Sequence, residues 1–90
     1  MPEEDWNEVA KGIIKAQLAR RNIKQYELAR ALNGIGVEET QSSISSKLSR
    51  GTFSFAFFLQ CMYVLRINTI ELDLGEWEWE TDTLEIIFTT

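Results

Sequence analysis

Residues 25–51, QYELARALNGIGVEETQSSISSKLSRG, predict two short helices joined by a turn that contains glycine. In the first helix, apolar residues recur at near-helical spacing, at Tyr26, Leu28, Ala29 and Leu32. Gly34 and Gly36 then interrupt the pattern, and glycine tolerates the backbone conformations of a turn. Thr40 is a suitable N-cap residue for a second helix over residues 40–50. A helix, a turn and a second helix therefore form the centre of the expected fold.

The second of these helices has few residues to bury. Ile44 and Leu48, four residues apart, are its strongly apolar pair. At about 100° per residue, several polar side chains point away from that pair, and Lys47 lies on the flank. The polar residues on this outer side are Ser42, Ser43, Ser46, Ser49 and Arg50. Hydroxyl groups and cations on one helix face suit the base edges and phosphates of a DNA groove. They equally suit a solvated or protein-binding face.

The composition excludes several classes of function. The chain has 90 residues and a globular composition, which predicts one small domain. It has no histidine and one cysteine, Cys61, so an intrachain disulfide and a Cys/His zinc site are excluded, and no cofactor is expected. Nothing pairs a nucleophile with a base, so we do not expect an enzyme. No segment is long and apolar enough to span a bilayer, and no secretory signal is present, which predicts a cytoplasmic protein without a membrane partner.

Charge is distributed unevenly along the chain. The formal net charge is −5. The segment from Lys11 to Arg50 nevertheless has eight basic and three acidic residues, a net charge of +5. Residues 67–90 have seven acidic residues and no basic one, a net charge of −7. This asymmetry favours a basic surface for an anionic partner and a separate acidic tail.

Two further helices complete the predicted helical part. An apolar stripe from Trp6 to Leu18 predicts an amphipathic helix over residues 5–21, with Asn22 as a left-handed terminator. Ser54 is the expected N-cap of a fourth helix over residues 54–66. That helix is apolar nearly all round, so it lies in the core or is covered by a second subunit. The predicted core residues are Trp6, Ile13, Leu28, Ala29, Leu32, Ile44, Leu48, Phe58 and Met62.

The last part of the chain has a different period. In residues 67–90, apolar and acidic residues alternate, which predicts strands and a hairpin between residues 76–80 and 84–88. A two-stranded hairpin is marginally stable by itself, so it would pack on a second copy in a twofold homodimer or on its own helices in a monomer. The residues expected in the dimer interface are Trp77, Trp79, Leu84, Ile86 and Phe88. The chain thus divides into a helical domain, residues 1–66, and an acidic tail, residues 67–90, which is also a candidate surface for another protein.

The order of these features resembles the lambda-repressor-like (Cro/C1-type) helix-turn-helix superfamily. The residues that carry the resemblance are Gln25-x-x-Leu28-Ala29-x-x-Leu32, then Gln41-Ser42-x-Ile44 and Arg50-Gly51. The segments SRGTFS at 49–54 and FFLQC at 57–61 look more closely like a small bacterial domain family of unknown function assigned to that superfamily. The resemblance covers residues 6–66. It implies a mainly α fold of four to five helices, to which the tail adds a C-terminal acidic β-hairpin or strands.

The resemblance also implies a function and a site. It implies sequence-specific binding of double-stranded DNA by a bacterial or phage-type transcriptional regulator, with a recognition helix over residues 40–50. Gln41 and Ser42 match the start of repressor recognition helices, and Gln25 matches a residue that binds phosphate, although the turn is longer than in the usual motif. The expected DNA-binding residues are Lys24, Gln25, Gln41, Ser42, Ser43, Ser46, Lys47 and Arg50. The alternative is a protein–protein interaction module on the same scaffold that binds no DNA.

Overall fold

The computed structural model describes residues 3–72 and residue 74, with side chains from Asp5 onward. Four α-helices occupy most of this part of the chain: α1 Glu3–Arg20, α2 Gln25–Gly34, α3 Gln41–Arg50 and α4 Phe55–Val64. Within the same residues there is no β-strand. The expected fold class, a helical domain with a C-terminal β-hairpin or strands, is therefore wrong. The described fold is all α.

The helices begin close to the predicted positions because their caps are encoded locally. Thr40 precedes α3, and its Oγ1 atom accepts a hydrogen bond of 3.0 Å from the Ser43 backbone N–H. Ser54 precedes α4 and accepts in the same way from the Phe57 N–H, also at 3.0 Å. Such side chains satisfy backbone donors that have no partner inside the helix. The first helix begins at Glu3, two residues before its predicted start.

The core lies where the four helices meet. The α3 helix packs against α1 and α2, and α2 also packs against α4. The buried apolar residues are Ile14, Leu18, Leu28, Ala29, Leu32, Ile44, Leu48, Phe57, Cys61 and Met62. The pair Ile44 and Leu48 is completely buried, as the sequence predicted. This pair therefore fixes which side of α3 faces the core and which side is left outward.

Three residues of the predicted core lie elsewhere. Trp6 is 38% exposed, and Ile13 and Phe58 are only half-buried. Ile14, next to Ile13, and Phe57, next to Phe58, are buried instead. In α1 the apolar stripe is wide enough to include both positions, and α4 is apolar on all sides, so periodicity does not decide which residue points inward. For Ile13 and Phe58, the helices were therefore predicted correctly, but the side of each helix that faces the core is rotated by one residue from the predicted side.

Three of the helices end in the same backbone arrangement. A residue with positive φ follows each of them: Asn22 (53°), Gly36 (85°) and Arg66 (60°). The next residue then donates its N–H to a carbonyl five residues back. These bonds run from Ile23 to Leu18, from Val37 to Leu32 and from Ile67 to Met62, at 2.9–3.0 Å. This is the Schellman motif, in which the residue after the left-handed one packs an apolar side chain on the helix. Ile23, Val37 and Ile67 all pack against the core.

The α3 helix ends at Gly51, which also has a positive φ of 70°. A Cβ atom at this position would overlap the backbone carbonyl of Asn7, whose carbon atom lies 2.8 Å from it. Beside this contact, the Lys11 ammonium group donates to the Ser49 carbonyl oxygen at 3.2 Å and pairs with Glu8 at 2.8 Å. The first part of α1 therefore lies directly on the end of α3, and only glycine permits that approach.

The segment that follows α4 runs without regular secondary structure. Ile70 packs against the core, whereas Leu72 and Leu74 are exposed, at 55% and 36%. Their alternation with acidic residues predicted a strand, which is wrong here because no neighbouring strand pairs with this segment in the described part of the chain. The predicted hairpin of residues 76–88, with its interface residues Trp77, Trp79, Leu84, Ile86 and Phe88, lies outside the described residues.

Candidate nucleic-acid interface

The outward side of α3 forms an open, polar groove. Burial of Ile44 and Leu48 orients the helix so that hydroxyl and amide groups face away from the core. The groove is lined by Thr40, Gln41, Ser42, Ser45, Ser46 and Ser49. We call this set the serine face. All six of its residues are exposed. The Thr40 Oγ1 atom is used in the helix cap, and the side chains of the other five residues face a ligand that covers the helix.

One predicted contact residue, Ser43, is used inside the protein. Its hydroxyl group accepts a 2.8 Å hydrogen bond from the Thr40 N–H and completes a reciprocal capping box. The same hydroxyl is within 2.7 Å of the Glu39 carboxylate, to which it donates. Ser43 is half-buried. Its hydroxyl group therefore holds the start of α3 together and lies apart from the serine face.

Glu39 is the charged residue that the structure buries among its described residues, with 9% of its surface exposed. Its backbone N–H donates to Asn33 Oδ1 at 2.9 Å, and its carboxylate accepts from Ser43 and from the Lys47 ammonium group. Burial by itself would raise the pKa of this carboxyl, but the hydrogen bonds from Lys47 and Ser43 outweigh it, so the pKa is lowered. Glu39 is therefore an ionised group beneath the first turns of α3.

Lys47 lies on the same inner flank of α3. Its ammonium group forms an ion pair with Glu39 and lies 4.6 Å from the centre of the Phe57 ring, in a cation–π arrangement. About 39% of its side chain remains exposed. Lys47 thus joins α3 to the turn before it and to α4. Part of its charge is neutralised within the protein, which reduces what it offers to a phosphate.

The other predicted residues lie at two places. Arg50 is exposed at the end of α3, next to the serine face. Lys24 is the exposed N-cap of α2, where its backbone N–H donates to the Glu27 carboxylate at 3.0 Å, and Gln25 follows it, half-buried. The structure therefore brings Gln41, Ser42 and Ser46 into one groove. It places Lys24 and Gln25 on another helix and turns Ser43 and Lys47 toward Glu39.

Two features of this site were missed in the sequence. Ser45 lines the groove, and its position three residues after Ser42 and four before Ser49 is the signal that identifies it. Glu39 had no such signal, because an acidic residue in a turn before a helix cap is usually solvated. Its burial depends on the path of the turn between α2 and α3, which places Glu39 beneath α3. No local sequence pattern encodes that path.

The single thiol lies away from this groove. Cys61 is completely buried, and burial together with the nearby Glu39 charge raises its pKa to about 12. A thiol in this state is neither a nucleophile nor a metal ligand at neutral pH. No group of three or more His, Cys, Asp or Glu residues gathers around a common point in the part of the chain that the structure describes. Nor does any helix there combine the length and apolar character that crossing a bilayer requires.

One family of proteins matches this chain. A model of the domain of unknown function DUF6471 matches residues 6–70, which include nearly all of the four helices and the segment after α4. The chain belongs to the DUF6471 family. The match confirms the resemblance to a domain family of unknown function, and it does not link the chain to lambda-repressor-like proteins. No curated protein and no solved structure matches the chain. The description of the DUF6471 family names no activity.

Proposed function

We propose that this DUF6471 domain binds double-stranded DNA through the serine face of α3. The observation that carries the proposal is the orientation of this helix. Two fully buried residues, Ile44 and Leu48, anchor one side, and six exposed residues with hydroxyl or amide groups line the other. The major groove of DNA admits an α-helix and presents donors and acceptors to it. A ten-residue helix with short polar side chains outward lets the helix backbone approach the base edges closely.

The arrangement of the neighbouring helices supports the same function. The α2 helix packs on α3 and precedes it in the chain, which is the order of a helix-turn-helix unit. The Glu39–Lys47 ion pair and the Thr40–Ser43 capping box hold the start of α3 rigidly. A recognition element needs such support, because a misplacement of about 1 Å weakens a hydrogen-bonded contact. Together with the lambda-repressor-like resemblance, this favours a transcriptional regulator of bacterial or phage type.

Within this function, the residues take different roles. The Gln41 amide is suited to adenine, which presents a matching donor and acceptor in the major groove, and the Ser42 and Ser46 hydroxyls suit either kind of base edge. Arg50 supplies a guanidinium group for phosphate or guanine. Lys24 and Gln25, at the start of α2, supply a cation and an amide for backbone phosphates. The acidic net charge of −5 makes the binding depend on these local cations rather than on the charge of the whole molecule.

The test is a selection of DNA from a random double-stranded pool, followed by fluorescence anisotropy on the selected and on scrambled duplexes. Gln41→Ala should reduce the preference for the selected sequence by about 5- to 150-fold, since a bidentate contact discriminates by about 1–3 kcal/mol. Arg50→Ala should weaken binding to both duplexes and make the salt dependence shallower by about one unit. Arg30→Ala removes an exposed arginine from α2 and is the matched control. It should change neither the sequence preference nor the salt dependence of binding. Absence of binding to any duplex at low salt would overturn the proposal.

A second function is favoured by one specific observation. Lys47, a central cation of α3, is paired with Glu39, so the serine face is nearly neutral. A neutral face of hydroxyl and amide groups is also suited to another protein, on a helix-turn-helix scaffold without DNA binding. Loss of affinity in the Gln41→Ala variant for a protein partner, with no affinity for DNA in the wild type, would support this function instead.

A further inference from the structure

The fourth helix has an exposed apolar stripe. Phe55, Leu59 and Tyr63 follow one another at intervals of four residues, so they lie along one side of α4. They are 71%, 51% and 66% exposed. The Phe55 ring stacks on Phe58 with ring centres 5.8 Å apart, which holds it in place at one end of the stripe. Isolated apolar residues are common on protein surfaces, but three large ones in a row indicate an interaction surface.

An apolar groove continues the stripe on one side. It has a volume of about 490 Å³ and lies between α1, α4 and the segment of residues 67–72. Phe55, Phe58 and Leu59 form its α4 wall, and Ile70 and Leu72 lie on the opposite wall. The stripe and the groove are therefore one continuous apolar surface, which we call the α4 surface.

The charge of this surface favours a second copy of the same chain as its partner. In a twofold dimer each residue near the axis meets its own counterpart, so any charge there meets a like charge. The α4 helix, FAFFLQCMYV, has no charged residue in its ten positions. A twofold contact through α4 therefore brings no like charges of this helix together.

We propose that this protein forms a twofold homodimer in which the α4 surfaces of two copies pack against each other. Aromatic side chains bury about 150–250 Å² each, so at the observed exposures the stripe offers roughly 300–400 Å² per copy. With Leu72 and the groove walls, the total for two copies comes near the roughly 1,000 Å² that a specific interface requires. An interface near this lower bound belongs to the class of reversible dimers rather than permanent ones.

The dimer is independent of the proposed DNA-binding role. The residues that line the serine face and those that line the α4 surface are different sets, on different helices. A dimer through α4 therefore leaves both α3 helices exposed. If the protein does not bind DNA, the dimer proposal is unaffected. If the protein does not dimerise, it can still bind DNA as a monomer.

The first experiment measures mass by sedimentation equilibrium over a concentration series of the full chain. The wild type should pass from monomer to dimer with rising concentration, and Leu59→Glu should raise the dissociation constant at least about tenfold, because two carboxylates would then meet in an apolar interface. Tyr26→Glu is the matched control: Tyr26 is 45% exposed on α2 and lines neither the α4 surface nor the serine face. Circular dichroism verifies that both variants keep their helices.

The second experiment uses the chemistry of the native thiol. Because Cys61 is fully buried with a raised pKa, it does not react in the folded protein. A Leu59→Cys variant therefore has one reactive thiol, at the middle of the stripe. Mild oxidation should link it into a covalent dimer, and Tyr26→Cys should form markedly less. Cross-linking needs no loss of stability, so it remains informative even if Leu59→Glu unfolds.

Three outcomes would overturn the proposal. A wild type that stays monomeric at the highest concentration would mean that residues 75–90 of the same chain, or a different protein, occupy the α4 surface. A dimer that is equally strong in Leu59→Glu would place the interface elsewhere. Equal cross-linking of Leu59→Cys and Tyr26→Cys would show that the disulfide forms by random collision and not at a specific interface on α4.

Discussion

The Lys47 ammonium group of α3 forms an ion pair with the Glu39 carboxylate, which lies buried in the turn before that helix. The pair joins two segments eight residues apart in the chain and places the lysine over the Phe57 ring of α4. It therefore joins α3 to the turn before it and to α4. This polar contact on the inner flank of α3 accompanies the buried pair Ile44 and Leu48, which orients the helix.

The ion pair predicts an asymmetric response to substitution. Lys47→Met should destabilise the fold by about 1–3 kcal/mol, because it leaves the Glu39 carboxylate buried without its main partner. Adding Glu39→Gln to that variant should recover part of the loss, since no charge then remains to be buried. Urea unfolding of the four proteins in a double-mutant cycle measures the coupling. Purely additive effects would show that the two side chains do not interact in solution.

Glu39 also predicts how stability depends on pH. The pKa of its carboxyl is lower in the folded protein than the ordinary value of 4.5. Its contribution is therefore fully present above that ordinary value and is lost as the pH falls through the lower folded-state pKa. In acid, the wild type should lose more stability than Glu39→Gln does. Thermal unfolding of both proteins from neutral pH into the acid range gives this difference, and parallel curves would contradict it.

Gly51 and Gly36 form a natural pair of tests for backbone strain. Both have positive φ, but a Cβ atom at Gly51 would meet the Asn7 carbonyl, whereas nothing lies within 4 Å of one at Gly36. Gly36→Ala should cost about 1–2 kcal/mol, the penalty of a left-handed L-residue. Gly51→Ala should cost clearly more, because α1 must also move away from α3. Equal losses of unfolding free energy would show that α1 does not lie on the end of α3.

Two adjacent phenylalanines of α4 distinguish the core from the surface. Phe57 is 4% exposed and its ring lies 5.5 Å from that of Phe53, whereas Phe58 is half-buried beside the apolar groove. Phe57→Ala should cost about 3–5 kcal/mol, as expected for a large aromatic residue in a core. Phe58→Ala should cost distinctly less. The reverse order in chemical unfolding would mean that α4 is rotated by one residue from the described orientation.

The sequence predicted the local features of this fold well. The caps Thr40 and Ser54, the terminator Asn22, and the buried pair Ile44 and Leu48 are all encoded within a few residues of where they act. Features that depend on distant contacts were not predictable in this way. The inward face of α4 was missed because every face is apolar, and a strand was expected at residues 70–74 because alternation alone does not provide a pairing partner.

In the candidate site, too, locally encoded features were predicted and those that depend on distant contacts were not. Ser42 and Ser46 were placed outward correctly, since their direction follows from the helical period and from the buried pair. Gln41, which the resemblance assigned to the site, lines the same groove. Ser43 was expected to contact DNA like the neighbouring serines, but its hydroxyl group accepts a hydrogen bond from the Thr40 N–H in the cap of α3. Lys47 was expected to face a ligand, and its partner Glu39 comes from a turn whose path is set by tertiary packing. Which of these residues contact DNA remains a prediction.

The helix ends also bear on how quickly the chain folds. Asn22, Gly36 and Arg66 each close a helix with hydrogen bonds that span only five residues, and short connections join the successive helices. Bringing such neighbours together costs little loop-closure entropy, and contacts between elements close in sequence are associated with folding in microseconds to milliseconds. The single proline, Pro2, precedes the described helices. No prolyl bond therefore lies within residues 3–72 to impose a slow refolding phase.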